Sequence, residues 1–159
     1  MQRKYQYRRN LPHLQNRDCA LFITFASWKR WILPEVARDL ALESCLRVNG
    51  RKCTLYAAVI MPDHVHLILC PVPCGNEYFS IPEIMKTIKS ESAHRINQVL
   101  SRTGRVWQDE SFDHLLRRSE SLDAKTDYII ENPVRAGLVR VPSEYRWVWR
   151  YAGGMVRSA

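Results

Sequence analysis

The chain has 159 residues, 46% of them hydrophobic, enough for one domain with its own core. It carries 24 Lys and Arg against 16 Asp and Glu, a formal net charge of +8 and a pI near 9.5, which favours a polyanionic partner, nucleic acid first. No apolar run reaches spanning length and no signal-peptide pattern follows the basic start, so a cytoplasmic protein with no membrane partner is expected. The five cysteines, Cys19, Cys45, Cys53, Cys70 and Cys74, are an odd number in a mid-sized chain. Buried reduced thiols fit them better than a disulfide framework.

The whole chain, 1–159, reads as a single domain with a basic arm over residues 1–17. A first strand is expected from Cys19 to Ala26. Pro34 opens a helical pattern through about Arg47, which Asn49-Gly50 stops. Residues 53–61 and 64–70 are apolar, β-prone runs around Met61-Pro62-Asp63 and form a tight hairpin. A loop follows from Pro71 to Ser80. Ser80, Pro82 and Glu83 have the spacing of a helix start, with Ser80 as cap, for a helix reaching about Leu100. Gly104 breaks the chain, and Ser111 to Arg117 is a fourth strand. Ser121 caps a last helix to about Asn132, limited by Pro133. The order β-α-β-β-α-β-α predicts an α+β fold, a ferredoxin-like antiparallel sheet with helices packed on one face.

The most informative segment is His64-Val65-His66. On a strand, side chains alternate, so both imidazoles point to one face and make a ready pair of metal ligands. Two hydrogen-bonded sheet histidines are the bland alternative. In the last helix Tyr128 and Asn132 are four apart and share a face. A tyrosine and an amide beside two strand histidines point to a nucleophile and a metal site. His64, His66 and an oxygen of Asn132 suit a divalent ion such as Mg²⁺ or Mn²⁺, with open positions for phosphate oxygens. The Tyr128 phenol, with an ordinary pKa of about 10, then needs a nearby cation or base to attack phosphorus. Tyr128 as packing and Asn132 as a helix cap are the alternatives. Cys70 and Cys74 with the histidines offer a competing zinc reading.

The segments Val59-Ile-Met-Pro-Asp-His-Val-His-Leu-Ile-Leu69, Arg105-Val-Trp-Gln-Asp-Glu-Ser-Phe-Asp-His114 and Tyr128-Ile-Ile-Glu-Asn-Pro-Val-Arg-Ala-Gly-Leu-Val139 resemble the HUH-endonuclease superfamily. Within it they are most similar to the single-tyrosine transposases of IS200/IS605 type, and among these to the REP-associated tyrosine transposases. The resemblance spans roughly residues 19–150. It implies the HUH-endonuclease arrangement and a metal-dependent enzyme that cleaves and rejoins single-stranded DNA beside hairpins of repetitive palindromic elements. His64 and His66 would be the metal ligands and Tyr128 the nucleophile forming a 5′-phosphotyrosine. Arg3, Lys4, Arg8, Arg9, Lys86, Lys89, Arg117 and Arg118 are candidates for backbone contacts, and Trp107 for base stacking. The working unit would be a monomer or a homodimer. Two departures stand out. Asp63 occupies a position often held by Asn and could join the metal's outer shell or cap the turn. Asn132 stands where insertion-sequence members often have Gln. No tandem second tyrosine is present. His114 alternates with Phe112 and is a candidate for the site or for a structural sheet histidine. A DNA-binding protein that kept this fold without its chemistry is the alternative function.

Overall fold

The computed structural model describes residues 20–116 and 121–152. The candidate DNA contacts Arg3, Lys4, Arg8, Arg9, Arg117 and Arg118 lie outside them. In chain order the elements are β1 (Leu21–Ser27), a 3-10 turn (Trp28–Arg30), α1 (Glu35–Val48), β2 (Cys53–Ile60) and β3 (His64–Pro71). A small ribbon follows, β4 (Pro73–Cys74) with β5 (Glu77–Tyr78), then α2 (Ile81–Val99) and β6 (Trp107–Leu115). The chain continues through α3 (Leu122–Ile130), α4 (Asn132–Arg135), a second 3-10 turn (Pro142–Glu144) and β7 (Val148–Arg150).

Five strands form one sheet in the order β6-β1-β3-β2-β7, each neighbouring pair antiparallel. This is the expected α+β architecture. The strand that carries the histidines is central, hydrogen-bonded on both edges by β1 and β2. Strand alternation sorts the side chains. Leu21, Ile23 and Phe25 of β1 share a buried face with Val65, Leu67 and Leu69 of β3. The helices α1 and α2 pack against each other over this face, burying Ala37, Leu40, Ala41, Cys45, Ile84, Ile88 and Ile96. The opposite face carries Phe22, Thr24, His64 and His66. There α3 packs over β2 and buries Ile129 completely. Strand β2 is therefore covered on both sides, which ends its alternation: Ala57 to Ile60 are all buried.

Local signals behave as their chemistry dictates. The Ser80 hydroxyl accepts from the Glu83 N–H at 3.2 Å, and Ser121 from Ala124 at 3.2 Å. Gly50 follows the end of α1 in the left-handed region, φ +77°, where any other residue is strained. Pro34 stands one residue earlier than expected, as the cap before α1 rather than its first residue.

Several expectations are corrected. Strand β6 begins at Trp107 rather than Ser111, because Trp107 is a core residue. It is 5% exposed, donates its indole N–H to Ser92 Oγ at 2.8 Å and meets Phe25 edge-on at 5.0 Å. It is thus unavailable for stacking on a base. Lys89 is likewise no solvent-facing cation. The β1–β6 register shifts between Phe25 and Ser27, where three residues of β6, Gln108 to Glu110, stand against Ala26 of β1. Lys89 Nζ donates to the carbonyls of that bulge, Gln108 at 2.9 Å, Asp109 at 3.2 Å and Glu110 at 3.3 Å. Burial pushes its pKa down. Lys86, one helical turn earlier, is exposed.

The C-terminal strand β7 was not legible in advance, nor was the β4–β5 ribbon. Tyr145 anchors the approach to β7, its hydroxyl donating to the Ile60 carbonyl at 2.6 Å. Cys45, Cys53 and Cys74 are free, the first two buried, and burial pushes the Cys53 thiol up to about 12. Cys70, by contrast, is disulfide-bonded, against the expectation of reduced thiols throughout. With Cys74 exposed on a separate ribbon, the zinc reading loses its two sulfurs. Among the described residues no helix is long and apolar enough to cross a membrane.

The Lys89 contacts predict a stability effect. Lys89→Met should cost about 1–3 kcal/mol in urea unfolding, since it strands bulge carbonyls. Lys86→Met should stay within about 0.5 kcal/mol. Equal, negligible effects would refute the structural role of Lys89.

Candidate active site

The hairpin turn Met61-Pro62-Asp63 delivers the chain into β3 at His64. This turn is held from outside by the connection after β1. The Ser27 N–H and Oγ donate to the Asp63 carbonyl at 2.9 and 3.0 Å, and the Leu33 N–H donates to the Pro62 carbonyl at 2.7 Å. Within that connection Lys29 and Arg30 both take positive φ, 51° and 56°. Such backbone costs non-glycine residues roughly 1–2 kcal/mol each. Arg30 reaches Asp63 Oδ2 at 3.5 Å.

Each imidazole is fixed through its Nδ1. Asp63 Oδ1 lies 2.6 Å from His64 Nδ1, and Thr24 Oγ1 lies 2.8 Å from His66 Nδ1. Asp63 settles the first tautomer, since a carboxylate accepts: His64 Nδ1 donates, and in the neutral ring the Nε2 lone pair is free. Thr24 sits directly opposite His66 across the β1–β3 ladder, so the sheet register itself supplies that partner. The consequence is that the two Nε2 atoms face each other at 3.1 Å, with the rings at 83°. With neutral rings, His66 accepts from the Thr24 hydroxyl at Nδ1 and donates its Nε2–H to the His64 Nε2 lone pair; a bound cation would take the place of that proton. Protonation of His66 is disfavoured. Its pKa is pulled to about 4 by burial first, then by the charges of His64, Arg135 and Lys125. Two nitrogens bound at right angles to one ion, each about 2.1 Å away, would stand about 3 Å apart. The spacing of the pair fits a metal held by both nitrogens. Among the described residues no group of three His, Cys, Asp or Glu gathers there.

Helices α3 and α4 each bring a cation to the same face. Phe22 stacks on His66, with ring centroids 5.5 Å apart. Lys125 Nζ lies over the Phe22 ring at 4.6 Å and over the Tyr128 ring at 4.9 Å. The Arg135 guanidinium covers Tyr128 at 4.1 Å and also donates to the Tyr128 carbonyl. Tyr128 is 53% exposed, so packing does not account for it. Among the described residues neither Lys125 nor Arg135 makes an ion pair with a carboxylate.

Asn132 departs from its expected setting. The helix breaks at Glu131, and Asn132 opens the short α4 instead of ending the tyrosine helix. Pro133, with no N–H to continue α3, is the local cause. Both oxygens of Asn132 are engaged: its carbonyl accepts from the Ala136 N–H at 2.9 Å, and Oδ1 accepts from Arg135 at 2.6 Å. His114 stands opposite Phe22 on β6, a further strand away from the pair. Thr24, Phe22, Lys125 and Arg135 were not singled out from sequence. Their only advance signal is spacing: Lys125 lies three residues before Tyr128 and Arg135 three after Asn132, one helical turn in each case.

A family model described as "Transposase IS200 like" matches residues 32–132. The chain belongs to this family. The IS200-like match takes in the histidine pair, Tyr128 and Asn132. Among relatives of this IS200-like chain, the REP-associated tyrosine transposase of Escherichia coli K12 is 27% identical over 133 residues, covering 84% of this chain and 69% of that protein. A second, from Haemophilus influenzae and named for the same group, is 28% identical over 98 residues, or 56% of this chain. The chain spans about half of that relative, 54% of its length. A solved structure of a REP-associated tyrosine transposase bound to a REP hairpin is similar in fold, with a TM-score of 0.67 at 22% identity. That likeness covers 90% of this chain and 81% of that one.

The depressed His66 pKa has a definite sign. The unfolded chain takes up a proton near the ordinary 6.5, the folded chain near 4, so stability present above pH 6.5 is lost as pH falls toward 4. His66→Gln should flatten the pH dependence of urea unfolding across this window. An unchanged slope would show that His66 titrates normally in the fold.

Proposed function

We propose that this IS200-like chain is a metal-dependent enzyme that cuts and rejoins single-stranded DNA beside hairpins, using Tyr128 as nucleophile. The observation that carries the reading is the convergence of His64 and His66 Nε2 at 3.1 Å, on the face where Lys125 and Arg135 flank Tyr128. The REP hairpin bound to a protein of similar fold, and the net charge of +8, support a hairpin DNA partner.

His64 and His66 would hold the ion, Mg²⁺ or Mn²⁺, and Asn132 would join them on release of its amide oxygen from Arg135. When bound, the ion polarises the phosphate and offsets charge that builds on its oxygens. Lys125 and Arg135, without carboxylate partners among the described residues, draw the scissile phosphate to Tyr128. The phenol oxygen forms a bond to phosphorus, and its proton passes to solvent. The bond to the 3′-oxygen breaks, and that oxygen takes up a proton as it leaves as a hydroxyl. The 5′-phosphotyrosine retains the bond energy, so attack by a 3′-hydroxyl rejoins strands without ATP. Asp63 and Thr24 act as positioning residues that hold both rings with Nε2 outward. Lys86 is retained as a backbone contact, along with the arginines and lysine of the N-terminal arm and Arg117-Arg118. The whole chain is read as one domain, working in the cytoplasm as a monomer or homodimer.

Covalent trapping tests this directly. Labelled hairpin-bearing single-stranded DNA, incubated with the protein and Mn²⁺, should give a slow-migrating adduct on denaturing gels. The adduct should vanish in Tyr128→Phe and His64→Ala and fall at least tenfold in Arg135→Gln. Hairpin binding with no adduct across several sequences and metals would favour a DNA-binding protein without chemistry.

A further inference from the structure

One row of side chains crosses the histidine face of the sheet in register. Phe112 of β6 stands opposite Thr24 of β1, and Thr24 stands opposite His66 of β3. The inner two members of the row are tied by the Thr24–His66 hydrogen bond of 2.8 Å. The outer member is a phenylalanine that is 62% exposed. Strand alternation explains its direction but not its residue type. Leu116 and Trp107 show that the same strand region buries large apolar groups where the core asks for them. Phe112 stays largely exposed there, and polar residues occupy much of the rest of this edge strand, Gln108, Asp109, Glu110, Ser111, Asp113 and His114. An exposed aromatic ring on an open antiparallel sheet face is the device by which several folds stack unpaired bases.

We propose that Phe112 is a stacking platform for an unpaired DNA base next to the bond cleaved at His64 and His66. The inference rests on the proposed function, since it takes single-stranded DNA as the ligand. The two strand spacings between Phe112 and His66 amount to roughly 10 Å, a nucleotide-scale reach from the candidate metal pair. The cations Lys125 and Arg135 lie on the same face, over Phe22 and Tyr128, where they suit the backbone phosphates of the same strand. The ring is apolar and makes no donor or acceptor contact with a base edge, so the platform is tolerant of sequence. Phe112 thereby takes the part that sequence reading assigned to Trp107.

The test uses full-length protein without added metal and two probes: a short mixed-sequence single strand of DNA, and the same sequence as a blunt duplex. Binding is read by fluorescence anisotropy. Phe112→Ala should weaken single-strand binding by about tenfold and leave duplex binding unchanged. Phe112→Trp should restore single-strand affinity, with the new indole fluorescence quenched on binding. Thermal melting of both variants should match the parent, because the ring is exposed. Wild-type affinity for the single strand in Phe112→Ala, or an equal loss on both probes, would overturn the platform while leaving the proposed function standing. Failure of the parent protein to bind the single strand would also overturn the platform, and the proposed function would still be decided by trapping on hairpin-bearing DNA.

Discussion

The candidate site depends on one constraint: two imidazoles held with their Nε2 atoms 3.1 Å apart and facing each other. Left free, the rings would rotate away. They are held because each outer nitrogen has a fixed partner, and because those partners sit on backbone that cannot yield. Thr24 is locked by the β1–β3 ladder. Asp63 is locked by the turn, which Ser27 and Leu33 grip through three hydrogen bonds. The central position of β3 makes this possible, since a strand bonded on both edges has little freedom to twist its side chains out of line. The two strained residues, Lys29 and Arg30, belong to the same clamp. Their backbone conformation lets the connection fold back on the hairpin within a few residues, and Arg30 then reaches Asp63.

Charge on the open face follows from the way the layers are filled. Helices α1 and α2 take the apolar side of the sheet, and α3 takes only part of the other. A fully covered histidine face would be dry and closed to a large ligand; a bare one would leave the rings in water. Partial cover by α3 and α4 buries His66 enough to keep it neutral, and brings Lys125 of α3 and Arg135 of α4 near it while leaving Tyr128 half in solvent. Burial and positive charge act on the imidazole in the same direction. The same two cations, one from α3 and one from α4, stand over the tyrosine ring, so both helices serve the histidines and the phenol.

Much of this was legible in the sequence where the signal was local. The His-x-His alternation, the Pro-Asp turn before it, the caps at Ser80 and Ser121 and the stop at Gly50 depend on neighbours a few residues away. What was missed depends on distant partners. Lys89 looked like a surface cation because nothing local reveals a bulge on β6, about twenty residues later, with carbonyls to satisfy. Trp107 looked like loop because its partners, Ser92 and Phe25, come from two other elements. The edge strand β7 has no alternation of its own and exists by pairing with β2. Thr24 carried no mark of function, since its role comes entirely from cross-strand register. The break at Glu131 was implied by Pro133, but its effect on Asn132 required knowing where Arg135 would turn.

That break gives the site two mechanical characters. The histidine half is stiff, built on central sheet and clamped turn. The tyrosine half is jointed: Tyr128 and Asn132 belong to separate helices, and the exposed guanidinium of Arg135 bridges them. A continuous helix would have made the phenol and the amide move as one rod. With a joint between them, either can shift while the other stays. In the proposed reaction the nucleophile carries a DNA end away as cargo, so its travel need not disturb whatever the rest of the site is holding.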